Sequence, residues 1–562
     1  MDRKLLPVGI DDYKKLIDED YYYVDKTLLI KDLINNLAFV NLFTRPRRFG
    51  KTLNLSMLRY FFEKPVDGSS NTYLFKDKKI MTEGEKYTAY QEQYPVIQLS
   101  LKSGKQAVFE NACNMVKLEI AKEYRRHGYI VPKLKNEIDR EKFELLSNEN
   151  MESSAWLEAL AFLSRCLEEY YQQKVIILID EYDVPLENAY YCGFYKQMTD
   201  FIRSLFESAL KSNPSLKFAV ITGCLRISKE SIFTGLNNLD VISILNTVYN
   251  EHFGFTQDEV NKLLSDYHIE SKSNIIKEWY DGYIFGKTEV YNPWSLINYT
   301  RAAFADESAL PVEYWSNTSS NSIIKDLLSK STDISRDEIE ILVQDGSIEK
   351  TVFEDITYQD IYENEENLWN FLFFTGYLKA VEVKMKDDDR VMVLKIPNKE
   401  IKKIYRQQIV IWSRNIIKSG NLSKLFSAVL KGDENILQDE LAKILSVFIS
   451  YMDNHEDFYH GFLLGILINM KGYKITSNRE AGYGRYDLCI VNRKGTENPV
   501  IIEFKIADKK KFMENAAEKA LKQIMEKGYD IPLKDDGYKE CVHIGIGFCN
   551  KMCYVKCEIV TL

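Results

Sequence analysis

The 562-residue sequence has no apolar run approaching the roughly 18 residues that a membrane span needs. No long apolar stretch follows Met1–Pro7, so neither membrane insertion nor a secretory signal is expected. Proline (12) and glycine (26) are too scarce for long disordered linkers. Positive charge is not in excess: 74 Lys and Arg face 83 Asp and Glu, a net charge of −9. That excludes a uniformly basic nucleic-acid coat and leaves room for local basic grooves. The nine cysteines are scattered, which suits a reducing cytoplasm. The late group Cys541, Cys549, Cys553 and Cys557, with His543, lacks the paired CxxC spacing of structural zinc sites and lies in apolar runs. These thiols read as small buried hydrophobes. What remains, 45% hydrophobic and 13% aromatic residues, is a folded globular chain of two to four domains.

The most informative stretch is Thr44-Arg45-Pro46-Arg47-Arg48-Phe49-Gly50-Lys51-Thr52. A mostly apolar run, Ala38 to Phe43, precedes it, and a helical pattern from Leu53 follows. Strand, turn and helix around Gly-Lys-Thr present backbone N–H groups, a lysine and a hydroxyl to nucleotide phosphates. Gly50, Lys51 and Thr52 are the core of that reading. Arg47 and Arg48 are added as phosphate contacts, and Thr52 as a Mg²⁺ ligand. The pattern asks for glycine where Arg45 stands, so a differently built turn is expected.

Val175-Ile176-Ile177-Leu178-Ile179 is a strand pattern suited to burial on both faces. It ends in Asp180-Glu181, acids at the carboxyl end of a strand, where open α/β sheets bind ligands. Asp180 is expected to orient Mg²⁺, and Glu181 to polarise the attacking water. A further strand, Lys217 to Gly223, ends at Thr222, a candidate γ-phosphate sensor, with Arg226 a candidate phosphate contact beyond it. At least one strand-helix unit separates the two motifs. Tyr22 and Tyr23 are expected to pack, and Asp25 to cap the helix from Leu28.

Together Arg45 to Thr52, Ile179 to Asp183, Thr222 to Ser228 and Trp279-Tyr280-Asp281-Gly282-Tyr283 resemble the bacterial AAA-ATPase-like family over roughly residues 5–300. The resemblance implies a P-loop ATPase of the additional-strand, catalytic-glutamate type that uses ATP and Mg²⁺. Arg45 belongs to that family's pattern. Members often carry a C-terminal PD-(D/E)xK nuclease-type domain.

Thr256 with Glu259 forms a capping box, and the aromatic turns near Tyr280 and Trp294 read as a helical lid packed on the ATPase. Residues 368–412 read as helix, hairpin and helix, a winged-helix-like connector whose acidic turn Asp387-Asp388-Asp389 disfavours DNA reading. No internal repeat is visible.

From Glu456 the pattern is helix, three strands, helix, strand. Glu456 and His460 share a helix face at i, i+4. If the turn between the second and third strands centres on Gly495, Asp487 lies opposite Glu503, on one sheet face with Lys505. Two carboxylates and a lysine there suit metal-dependent phosphodiester hydrolysis. Asp487 and Glu503 would hold Mg²⁺ or Mn²⁺, and Lys505 would steady water or developing charge. By count, residues 471–530 hold 13 Lys and Arg against 9 Asp and Glu, a local positive excess. This segment resembles the PD-(D/E)xK nuclease superfamily. Carried over, the resemblance makes Glu456, Asp487, Glu503, Lys505 and Gln523 the matching active-site positions.

The expected architecture is an α/β multidomain chain. A P-loop ATPase domain (1–250) is followed by a helical lid (251–305), a helical and winged-helix-like connector (306–440) and a restriction-endonuclease-like α/β core (441–562). The expected activity is ATP binding and hydrolysis coupled to Mg²⁺-dependent DNA cleavage. DNA and nucleotide are the expected partners, and homo-oligomers are compatible with the reading. Mobile-element processing or defence follows only from the resemblance. The rival reading is a nucleotide switch whose C-terminal fold only binds nucleic acid or a protein.

Overall fold

The computed structural model describes residues 4–36, 38–66, 68–149, 153–225, 232–233, 236–315, 338–339, 341–354, 358, 360–362, 365–408, 422–448, 456–468, 470–477 and 479–562. The described residues up to Ile404 form one compact unit and those from Tyr405 a second.

The first unit is built on five parallel strands: β1 (Val40–Thr44), β2 (Val96–Ser100), β3 (Val175–Asp180), β4 (Leu216–Gly223) and β5 (Leu239–Ile242). Their spatial order is β2-β3-β4-β1-β5, and every neighbouring pair runs parallel. Every residue of β1 and β3 is buried, as expected of strands covered on both faces. β4 lies between β1 and β3, so Thr222-Gly223 at its end stands between Thr44 at the end of β1 and Asp180 at the end of β3. β5 escapes the sequence reading because four residues, Leu-Asp-Val-Ile, carry too short a pattern.

The capping box is present as read. Thr256 and Glu259 exchange hydrogen bonds at the start of the helix Gln257–Tyr267. Glu259 also pairs with the buried Lys26 at 2.6 Å, tying the N-terminal segment to this helix. Asp25 does not cap the following helix directly. Its carboxylate instead accepts from the backbone N–H and hydroxyl of Thr27, one residue before the helix Leu28–Asn36.

Among the described residues, two further small sheets belong to this unit. β6 (Tyr283–Phe285) and β7 (Thr288–Val290) form a hairpin. β8 (Ile348–Thr351), β9 (Lys379–Lys386) and β10 (Asp389–Lys395) pair in the order β8-β10-β9. Asp387 and Asp388 both have positive φ, 49° and 70°, which is the turn that a two-residue hairpin with right-handed strand twist requires.

The second unit carries the sheet β11 (Tyr473–Ser477), β14 (Leu488–Asn492), β15 (Val500–Ile506), β16 (Glu540–Cys549) and β17 (Met552–Thr561), in that spatial order. A short separate hairpin, β12 (Glu480–Ala481) with β13 (Gly484–Arg485), precedes β14. One face, including Leu488, Ile490, Ile502 and Phe504, packs on the helices Ser423–Lys431, Glu434–Phe448 and Glu456–Leu467. The other face is covered by the helix Met513–Lys527. Its backbone lies so close to β16 that a Cβ at Gly547 would meet the carbonyl oxygen of Met513 at 2.0 Å. That approach admits only glycine and sets the height of the helix over the sheet.

No helix among the described residues is long and apolar enough to cross a membrane.

Candidate functional sites

The helix Lys51–Phe62 begins at Gly50, whose φ of 82° and ψ of 16° are left-handed, so glycine is needed there. The residue before the Phe49-Gly50 pair, Arg48, also has positive φ (70°), which turns the loop over the helix N-terminus. Lys51 Nζ donates to the carbonyls of Arg45 and Pro46, both at 2.8 Å, and so lies along the loop interior.

Arg45 resolves the missing glycine. Its side chain points away from the loop interior, is fully buried, and donates from Nη1 to the carbonyls of Thr44 (2.9 Å) and Ile242 (2.8 Å). Its guanidinium stands 5.1 Å from the ring of Phe253 and 5.2 Å from that of Phe285. Burial pushes it down to about 9, still protonated at neutral pH. Arg45 therefore locks the root of the loop to the end of β5. Arg45→Gly, which restores the usual motif, should lower stability by about 3 kcal/mol through lost charged hydrogen bonds and packing. Thermal unfolding reads that loss, while nucleotide affinity should hold within about threefold.

Asp180 ends β3 and gathers the neighbouring groups. Thr52 Oγ1 donates to its Oδ2 at 2.7 Å, and the Glu181 backbone N–H donates to its Oδ1 at 3.0 Å. Thr222 Oγ1 donates to the same Oδ1. Thr222 is thus turned onto Asp180 rather than lining the cavity. Glu181 has a left-handed φ of 52° and lines the cavity. Burial, then the charge of Asp180, raises its pKa. The cavity measures about 370 Å³, within the range of small-ligand sites. Lys51, Thr52, Glu181 and Lys102 lie on its wall, as do Tyr22, Tyr23, Phe255 and Trp294.

Arg47 forms an ion pair with Glu187, and the guanidinium of Arg48 stacks on Trp294 at 4.3 Å. Arg226 lies outside the described residues.

Behind the loop, the Trp315 indole donates to the Arg47 carbonyl at 3.3 Å. The Trp315 backbone N–H and the Ser295 hydroxyl both donate to Oε1 of Glu400, at 2.9 and 3.0 Å. Burial raises this carboxyl from 4.5 to about 7. A raised folded pKa means that the folded state holds the proton more tightly than the unfolded chain. The associated stability is therefore complete below pH 4.5 and lost as pH rises to about 7, at a cost of about 3 kcal/mol. Glu400→Gln should flatten that fall, so its melting temperature should exceed wild type at pH 8 and not at pH 4.5.

In the second unit, Leu488 pairs with Ile502 and Ile490 with Val500, which continues to put Asp487 opposite Glu503. The two are linked twice: Asp487 N–H donates to Glu503 Oε2 at 3.3 Å, and Phe504 N–H donates to Asp487 Oδ2 at 3.0 Å. Lys505 Nζ lies 3.3 Å from Glu503 Oε1, and Gln523 Nε2 donates to the same oxygen. Glu503 is only 2% exposed. Burial and the Asp487 charge hold its carboxyl well above the usual range. His460 Nε2 lies 3.1 Å from the Asp487 carbonyl. Glu456 opens the helix Glu456–Leu467, and its side chain lies outside the described residues. Among the described residues no group of three or more His, Cys, Asp or Glu is placed to hold a metal. Asp487 and Glu503 alone bring two hard carboxylates together in a low-dielectric corner. This fits Mg²⁺, which binds through one or two carboxylates and keeps the rest of its shell for water and phosphate oxygens.

Residues 7–233 match the model of a family described as Predicted AAA-ATPase, and residues 454–558 match that of the PD-(D/E)XK nuclease superfamily. The chain carries an AAA-ATPase-like domain and a PD-(D/E)XK nuclease superfamily domain. The chain is also similar to an "Uncharacterized protein in vnfD 5'region" of Azotobacter chroococcum mcd 1, with 25% identity over 540 residues. That alignment covers 94% of this chain and 93% of that protein.

The AAA-ATPase-like match contains residues 45–52, Asp180, Glu181 and Thr222 but not Trp294, which reaches the cavity from the helix Pro293–Ala305. Sequence reasoning also passed over Lys102, which follows β2 and lines the same cavity. Its placement comes from a tertiary bond, Leu101 N–H to the Asp180 carbonyl at 3.0 Å. Asp183 was legible as an acid, though not in its role. Buried at 3% exposure, it accepts the N–H groups of Cys224 (2.7 Å) and Leu225 (3.3 Å) and fixes the turn after β4. The nuclease-superfamily match contains Asp487, Glu503, Lys505 and Gln523. The helices Ser423–Lys431 and Glu434–Phe448 precede it and pack on the same sheet.

Proposed function

We propose that this chain binds and hydrolyses ATP in its first unit and cleaves DNA phosphodiesters in its second. The strand order, with β4 between the phosphate-loop strand and the Asp180-Glu181 strand, supports an ATPase of the additional-strand, catalytic-glutamate type. The observation that carries this half is the Asp180 carboxylate, held between Thr52 and Thr222 with Glu181 beside it. Lys51 would leave the loop carbonyls to meet the phosphates of a bound nucleotide. Thr52 and Asp180 would hold magnesium, and Thr222 is a positioning residue for Asp180. Glu181, its proton affinity raised by burial, accepts the proton of the attacking water. Arg47 and Arg48 border the phosphates, while Tyr22, Phe255 and Trp294 form an aromatic wall for the base.

The nuclease half rests on the Asp487, Glu503, Lys505 and Gln523 cluster on one sheet face. Asp487, Glu503 and the Phe504 carbonyl would hold Mg²⁺ or Mn²⁺, which supplies Lewis-acid activation of the phosphate. Lys505, about one-third exposed, orients the attacking water and steadies charge on the phosphate. Gln523 fixes the rotamer of Glu503. Glu456 is assigned here by its place on the helix alone.

Coupling is proposed through the chain itself. The helix over 399–408 leads out of the first unit. Its Glu400 is bonded to Trp315, which is bonded to the phosphate loop. Supercoiled plasmid incubated with the full chain and Mg²⁺, with and without ATP, tests the reading by nicking and phosphate release together. ATP turnover with no cleavage of any DNA or RNA would instead favour a nucleotide switch.

A further inference from the structure

The hairpin Glu480–Arg485 is absent from the pattern of helix, three strands, helix and strand that the sequence shows from Glu456. At its tip Tyr483 is 82% exposed. This phenol does not sit on a loose loop. The Tyr483 backbone N–H donates to the Lys527 carbonyl at 2.8 Å. Gly482, at a φ of 52°, lies so close to the end of the helix Met513–Lys527 that a Cβ there would meet the Lys527 carbonyl oxygen at 2.2 Å. On the other side a Cβ at Gly484 would touch the Tyr529 ring at 3.1 Å. Tyr529 accepts a hydrogen bond from Gln523 (3.1 Å), the residue that also donates to Glu503. The hairpin is therefore mounted on the same helix and the same polar chain as the carboxylate pair. Tyr483 and Asp487 are four positions apart, so the chain allows at most about 14 Å between their Cα atoms.

Exposed charges surround Tyr483: Arg479, Arg485 and Lys527, together with Glu480, which pairs with Arg485 at 3.0 Å, and Glu526. A rigid, outward-facing aromatic ring with cationic side chains in reach is the platform on which proteins stack unpaired nucleobases. Base pairs inside an intact duplex offer no free face to such a ring.

We infer that Tyr483 stacks on an unpaired base close to the scissile phosphate. The second unit then prefers single-stranded nucleic acid, or strands with locally unpaired bases, over continuous duplex. The inference takes its setting from the nuclease reading but predicts binding that needs no cleavage. Gly482 serves the mount because it leaves no room for a side chain, and a side chain at Gly484 would have to push the Tyr529 ring by a few tenths of an ångström.

The test uses the full chain in EDTA with a single-stranded oligonucleotide carrying 2-aminopurine and with the same sequence as blunt duplex. Tyr483→Ala should weaken single-strand binding by about 5- to 100-fold and remove the 2-aminopurine fluorescence change, whereas Tyr483→Trp retains both. Duplex affinity should change less than about twofold. Because the side chain is exposed, an unchanged melting temperature separates the effect from misfolding. Equal single-strand binding by wild type and Tyr483→Ala overturns the inference, as does wild type binding neither substrate. Tyr483-dependent binding without cleavage in Mg²⁺ supports the inference and counts only against the nuclease reading.

Discussion

Asp487→Ala and Glu503→Ala should each abolish Mg²⁺-dependent strand cleavage while ATP hydrolysis continues at the wild-type rate. The reason is geometric. Each carboxylate accepts a backbone N–H from the other's strand, so removing either leaves a buried donor unpaired as well as deleting a proposed metal ligand. Gln523→Leu is the graded version. It keeps both carboxylates but frees the rotamer of Glu503, and outer partners of this kind cost about 10- to 100-fold in metal affinity or activity. Lys505→Ala should leave metal affinity nearly intact and lower the cleavage rate by about 10²- to 10³-fold, as expected of a lost transition-state donor. Cleavage time courses over a Mg²⁺ titration separate the three classes.

In the first unit, Lys51→Ala and Glu181→Gln should divide binding from chemistry. Lys51 donates to two carbonyls of the loop, and in the proposed function it exchanges those bonds for phosphate oxygens. Its loss should weaken ATP binding about 10- to 100-fold, the worth of one or two charge-assisted hydrogen bonds. Glu181→Gln should bind ATP as wild type does and hydrolyse it about 10²- to 10⁴-fold more slowly, since the amide cannot take the proton. Isothermal titration gives the first quantity and single-turnover phosphate release the second. Equal ATP affinity for wild type and Lys51→Ala would contradict the assignment of the phosphate loop.

Both sites owe their legibility to local regularities. A turn centred on Gly495, whose φ is 66°, fixes the register that sets Asp487 against Glu503, because alternation in a hairpin is a matter of counting. The acids after β3 were legible because five buried aliphatics define where the strand ends. What the sequence concealed was tertiary. Arg45 looked like a defect in the phosphate loop because its acceptor on Ile242 and its ring partners lie about two hundred residues away. The hairpin at Tyr483 was hidden because two-residue strands carry no periodicity. The helix Ser423–Lys431 and the first half of Glu434–Phe448 read as connector, with the boundary drawn after residue 440, because an amphipathic helix shows that it has an apolar face, not which sheet it covers.

The central claim is that two chemistries reside in separate constellations of one chain. The most direct measurement follows plasmid nicking and phosphate release in the same Mg²⁺ and ATP reaction, for wild type and for the Asp487→Ala, Glu503→Ala double variant. Wild type should do both, and the double variant should release phosphate at the wild-type rate without nicking. Nicking by the double variant at the wild-type rate would contradict the claim.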